Sequence, residues 1–149
     1  MAVMGVSKFE RFFRAAASLD VDKDDLKRYN KFLDHKISDM FLIAKAAANA
    51  NDRDVIEPVD LPITKGLQES IHQFRKLDQD IEVRPLIEQL LARPALDIVI
   101  SEETQAKLPG VAGGLSLALA RSFRIIEPGL KNPATEHWER VFQVFDLLL

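Results

Sequence analysis

Apolar residues along this chain recur at steps of three and four, the spacing that lines one face of an α-helix, in six runs separated by polar or proline-containing breaks. The first run carries Phe9, Phe12, Phe13, Ala16 and Ala17, and Ser7 with Glu10 has the spacing of a capping box. A short helix is therefore expected from Ser7 to near Leu19. A polar, cap-rich stretch, Asp20 to Asp25, follows. Leu26, Tyr29, Leu33, Ile37, Met40, Ala44 and Ala47 then share one face for about six turns, which predicts one long helix over 23–50. Asn49, Asn51 and Asp52 stop it, and Val55 and Ile56 form a short extended piece before Pro58. Asp60 reads as an N-cap and Pro62 as a first-turn proline for a third helix carrying Ile63, Leu67, Ile71 and Phe74. Leu77 to Asp80 reads as a polar junction.

The order then repeats. Val83, Leu86, Ile87, Leu90 and Leu91 predict a short helix ending at Arg93-Pro94, and Leu96 to Ile100 an extended loop. Ser101, Glu102 and Glu103 cap a long segment reaching Ile126. Pro109 lacks an N–H and crowds the preceding turn, so a break is expected near Leu108–Gly110, with the main helix running from about Gly110 to Glu127. Pro133, Ala134 and Thr135 open a last helix with Trp138, Val141, Phe142, Phe145 and Leu148. The chain is thus short–long–short twice: a first half over 7–77 and a second over 82–149, within a single domain over 1–149. A repeat unit of this size cannot bury its own apolar face, whereas two units clasped crosswise cover each other.

Composition narrows the class. With 47% hydrophobic and 29% charged residues, the 149-residue chain can bury a real core. The absence of cysteine removes disulfides, thiolate nucleophiles and cysteine-based metal sites. Met1 to Phe9 lacks the pattern of a signal peptide. The longest nearly unbroken apolar stretch, Val111 to Ala120, is far below the roughly 20 residues that cross a bilayer. A soluble, cytoplasmic protein without a membrane partner is the expectation.

One spacing carries family information. Arg53 precedes Asp60 by seven residues, after a long helix and before a capped one. This resembles the histone fold, in which a loop arginine pairs with an aspartate at that separation. Nearly the whole chain is similar to a bacterial family, of unknown function, of single-chain histone-fold pseudo-dimers from thermophiles. The resemblance implies an all-α fold of two tandem histone-fold halves forming an intramolecular pseudo-dimer. It implies short loop strands pairing between the halves, Val55 and Ile56 against Ile98, Val99 and Ile100, with Val21 in a reciprocal bridge. It also implies a structural ion pair between Arg53 and Asp60, a planar guanidinium fork on a carboxylate. The second half departs from the pattern, since Trp138 stands seven residues after Lys131 where the aspartate would be.

No chemistry-bearing motif emerges. Gly110, Gly113 and Gly114 are followed by no Gly-Lys-Ser/Thr, so close helix packing explains them better than a phosphate loop. No Gly-x-Ser-x-Gly elbow is present. His35, His72 and His137 are far apart in sequence; Asp39 shares a helix face with His35, but a metal site there needs further ligands. The expectation is a non-enzymatic protein with no catalytic residues, no cofactor, no metal and no small-molecule substrate.

Two kinds of partner remain. Met40, Phe41, Leu42 and Ile43 are four consecutive apolar residues that one face cannot bury, and Leu147 and Leu148 end the chain with apolar surface. These favour a protein-interaction or scaffold module, with a protein partner or self-association. The alternative is an architectural DNA-binding, nucleoid-associated protein using Lys8, Arg11, Arg14, Lys23, Lys27 and Arg28 as a nucleic-acid patch. Against it stand the net charge of −3 and loop carboxylates, Asp20, Asp22, Asp24, Asp25, Asp52 and Asp54, where phosphates would approach.

Overall fold

The computed structural model describes the backbone of residues 3–91 and 97–149. Six α-helices dominate it: α1 (Val3–Ala17), α2 (Lys23–Ala50), α3 (Lys65–Ile81), α4 (Arg84–Leu90), α5 (Glu102–Ile126) and α6 (Thr135–Leu148). Two short strands, β1 (Val55–Ile56) and β2 (Val99–Ile100), pair in parallel, Val55 with Val99 and Ile56 with Ile100.

Local chemistry explains most boundaries. Asp22 caps α2 by accepting the N–H groups of Asp24 and Asp25, while the Asp25 carboxylate accepts the Asp22 N–H. Ser101 caps α5 by accepting the Thr104 N–H. One hydrophobic cluster fills the interior and draws on both halves: Phe9, Phe13, Tyr29 and Leu33 from the first, Ile87, Leu115, Phe123 and Trp138 from the second. The closest helix contact is α3 on α5. An added Cβ at Gly113 would lie 2.2 Å from the Phe74 ring, and one at Gly114 would lie 2.5 Å from the Ile71 side chain and 2.9 Å from its backbone nitrogen.

Several expectations need correction. α1 begins at Val3, so Ser7 sits inside the helix rather than capping it; Gly5 is buried and Val6 packs on the core, which extends the apolar face backwards. Asp60 does not cap α3. It closes a 3-10 turn over Pro58–Asp60, and Thr64 caps α3 by accepting the Leu67 N–H. Residues 77–80 continue α3, and Asp78 turns back to accept the N–H groups of Val83 and Arg84, capping α4. Within the extended loop, Ile98 flanks the bridge rather than pairing in it. The Arg93-Pro94 helix end and Leu96 lie outside the described residues.

α5 runs unbroken through Pro109. An interior proline costs about 3 kcal/mol or more. Leu108, Val111, Ala112, Leu115 and Leu117 are all buried in the same segment, and full burial of a large aliphatic side chain contributes about 1.5–3 kcal/mol. Tertiary burial therefore outweighs the local defect.

Val21 forms no strand. It is buried, and the reciprocal tie between halves is a single backbone bond, Asp20 N–H to the Lys131 carbonyl at 2.7 Å. Asp22 commits at once to capping α2, which leaves too little extended chain for a second bridge.

Candidate functional site

The loop after α2 holds the first constellation. Arg53 donates through Nη1 to Asp60 Oδ2 at 2.5 Å and through Nη2 to Asp60 Oδ1 at 2.8 Å. Asp60 Oδ2 also accepts the Glu57 N–H at 2.8 Å, so both carboxylate oxygens are engaged. The guanidinium holds the Asp60 carboxyl down at about 2, against the opposing effect of desolvation and with help from the Glu57 N–H. The Ile56 carbonyl receives the Ser101 N–H at 3.0 Å and the Thr104 hydroxyl at 2.8 Å, which binds β1 to the start of α5. This cluster fixes the backbone of the loop after α2.

Polar ties elsewhere join the halves. Trp138 Nε1 donates to Asp25 Oδ1 at 2.8 Å, and Lys45 donates to Asp97 at 2.9 Å. Burial pushes the Asp25 carboxyl up, with the Asp22 N–H and Trp138 pulling the other way. The Lys45 ammonium holds Asp97 below the usual carboxylate range.

The basic residues divide. Lys8 donates to the Ile81 carbonyl at 2.9 Å, at the end of α3. Arg14 pairs with Asp20, and Arg28 with Asp25 and the Thr135 hydroxyl. Arg11, Lys23 and Lys27 are exposed. Three of the six candidate phosphate contacts are thus already engaged in fastening helices and loops.

The apolar candidates divide as well. Met40 and Phe41 are buried in the core, which corrects their reading as partner surface: they lie beside Ile37 and Ala44 on the inner stripe of α2. Leu42 and Ile43 turn outward at 64% and 56% exposure, and Leu147 and Leu148 at 85% and 75%. α6 runs alongside α2: Phe142 stacks on Phe32 with ring centroids 5.7 Å apart, and Asp146 meets Lys36. The two exposed pairs therefore lie toward the same end of these helices.

Lys36 and Asp146 belong to a cluster that helical periodicity alone did not assemble. Lys36 is 2% exposed and donates to Asp146 Oδ1 at 2.6 Å and to Asp39 Oδ2 at 3.3 Å. His35 Nε2 lies 3.5 Å from Asp39 Oδ2 and 3.9 Å from Asp146 Oδ1. The Lys36 ammonium holds Asp146 below the usual carboxylate range, His35 adding a smaller effect. His35 and Asp39 shared a helix face in the sequence pattern; Asp146 arrives from the other end of the chain. The remaining histidines stand apart from this group. His137 accepts the Ala134 N–H and faces Glu127, and His72 lines a cleft on α3.

Among the described residues, no helix is long and apolar enough to cross a membrane. A family model described as a domain of unknown function, DUF1931, matches residues 9–146. A crystal structure of a Thermus thermophilus protein shares 49% identity with a TM-score of 0.84, covering 97% of each chain. A 1.9 Å crystal structure of an Aquifex aeolicus protein shares 28% identity with a TM-score of 0.85, over 97% of this chain and 95% of the other. An Aquifex aeolicus (strain VF5) protein, described only as uncharacterized, is 29% identical over 142 residues, 95% of this chain and 82% of its own.

Proposed function

The chain belongs to the DUF1931 family, and from that premise we propose that it is a non-enzymatic histone-fold pseudo-dimer serving as a protein-interaction or scaffold module. The helix order supports the pseudo-dimer: short, long and short helices in α1–α3, and again in α4–α6. The parallel bridge between Val55–Ile56 and Val99–Ile100 and the Arg53–Asp60 pair support it further.

The observation that carries the interaction reading is the outward placement of Leu42, Ile43, Leu147 and Leu148 on two helices that run side by side. Burying four such side chains against a partner is favourable by about 1.5–3 kcal/mol for each one fully covered. A second copy of the chain is the partner to test first. Light scattering across a concentration series tests it. Wild-type protein is expected to associate as concentration rises, and Leu147→Asp/Leu148→Asp protein to stay monomeric. Wild-type protein that stays monomeric at every concentration refutes self-association.

Duplex DNA as the partner has less support. Arg14 and Arg28 are held by Asp20 and Asp25, and Asp22 and Asp24 crowd the same loop. Gel shifts at low salt are expected to show no binding; tight binding with a steep salt dependence would replace the interaction reading.

A further inference from the structure

His35 and Asp39 stand one turn apart on α2, and Asp146 reaches them from the end of α6. One ligand atom from each lies within 4.8 Å of the other two. The separations from His35 Nε2, 3.5 and 3.9 Å, are longer than a hydrogen bond of about 2.7–3.2 Å. They are close to the spacing of two donors on one cation: with bonds of about 2.1 Å, neighbouring donors of a tetrahedral site sit roughly 3.4 Å apart.

The imidazole is the third member of the group. Nε2 faces two carboxylate oxygens and is hydrogen-bonded to neither. An imidazole nitrogen can serve as a metal ligand as well as a proton carrier, so Nε2 is placed to supply the third ligand atom beside the two oxygens. Lys36 places one ammonium against the two carboxylates, at 3.3 Å from Asp39 Oδ2 and 2.6 Å from Asp146 Oδ1. A cavity of about 330 Å³, lined by Lys31, Phe32, His35, Lys36, Phe142 and Asp146, opens beside the group and leaves room for water ligands.

We propose that His35, Asp39 and Asp146 form a binding site for one divalent first-row transition-metal cation, with water completing its coordination. One imidazole and two carboxylates suit zinc, cobalt or manganese better than calcium or copper(I). The ion fastens the end of α6 to the middle of α2. Lys36 sets the affinity, because its ammonium competes for the same two oxygens, Asp39 Oδ2 and Asp146 Oδ1. The site is independent of whether the protein binds a partner or DNA.

The test is titration of the purified full chain with cobalt(II), read as visible absorption of the bound ion, with zinc competition by calorimetry. One equivalent is expected to bind. Asp146→Asn is expected to weaken binding at least tenfold, and Lys36→Met to tighten it severalfold, with circular dichroism verifying that each variant is folded. His137→Gln, which removes the other histidine beside a carboxylate, is expected to change nothing. Three results would overturn the site: no saturable binding up to millimolar cobalt or zinc, affinity unchanged in Asp146→Asn, or loss of binding in His137→Gln.

Discussion

Tyr29 on α2 and Ser116 on α5 meet at 2.6 Å, both buried, where the two long helices cross. Ser116 gives its single hydroxyl proton to the Ala112 carbonyl at 2.7 Å, so Tyr29 is the donor between them. This direction makes the two deletions unequal. Ser116→Ala leaves a buried phenol without an acceptor and is expected to cost about 1–3 kcal/mol, the penalty for an unsatisfied buried donor. Tyr29→Phe leaves Ser116 still bonded to Ala112 and is expected to cost about 0.5–1.5 kcal/mol. Urea unfolding of the two variants measures both, and a larger loss in Tyr29→Phe would reverse the proton assignment.

Three glycines in helices should respond in opposite ways to alanine. At Gly66 an added Cβ meets nothing within 4 Å, so the substitution is expected to stabilise by about 0.5–1 kcal/mol through helix propensity. At Gly114 the same Cβ would approach the Ile71 backbone as well as its side chain, so α3 and α5 must separate. Gly114→Ala is expected to destabilise by about 1–3 kcal/mol or more despite the propensity gain. At Gly113 the obstacle is the Phe74 ring, buried and unable to swing clear, and a loss of similar size is expected. Thermal melts of the three proteins check the order, and a stable Gly114→Ala protein would contradict the close approach.

Thr104 tests the junction between the loop strands and α5. Its hydroxyl donates to the Ile56 carbonyl, which also holds the Ser101 N–H. Thr104→Val keeps the shape but removes two bonds, the donation to the Ile56 carbonyl and the one accepted from the Ser101 hydroxyl, so a loss of about 1–3 kcal/mol is expected at about 0.5–1.5 kcal/mol for each. Chemical denaturation resolves a change of this size. An unchanged midpoint would mean that the two bonds add no net stability.

Periodicity made the helices legible, and it did so best for α2, whose expected range of 23–50 matches the observed Lys23–Ala50. What it did not reveal depended on contacts distant in sequence. Pro109 reads locally as a break, and only the burial of Leu108 and Val111 against the rest of the fold keeps α5 whole. Asp60 reads locally as a cap, but α3 begins only at Lys65 with Thr64 as its cap, and the Asp60 carboxylate instead holds Arg53 and the Glu57 N–H. The burial of Lys36 has no local sign in the sequence, because its partner Asp146 lies 110 residues away. Met40 and Leu42 look alike in sequence, and the phase of α2 against the core separates them.

The Arg53–Asp60 pair predicts a pH signature. Asp60 titrates at about 2 in the folded protein and near the ordinary carboxylate value of 3.8 when unfolded. A depressed folded value means that the stabilisation is fully present above about pH 4 and is lost as pH falls toward 2. Asp25 works in the opposite sense: burial raises its folded value, so its ionisation removes stability as pH rises through that value. The wild-type profile alone therefore mixes two slopes, and the informative quantity is the difference between wild type and Asp60→Asn. Asparagine can still accept the Glu57 N–H but carries no charge for Arg53. The melting temperature of wild type is expected to exceed that of Asp60→Asn by a constant margin from pH 7 down to about 4, and the margin to close between there and pH 2. A margin that stays constant down to pH 2 would mean that the ion pair contributes no charge-dependent stability and that the loop is held by its backbone bonds to α5 alone.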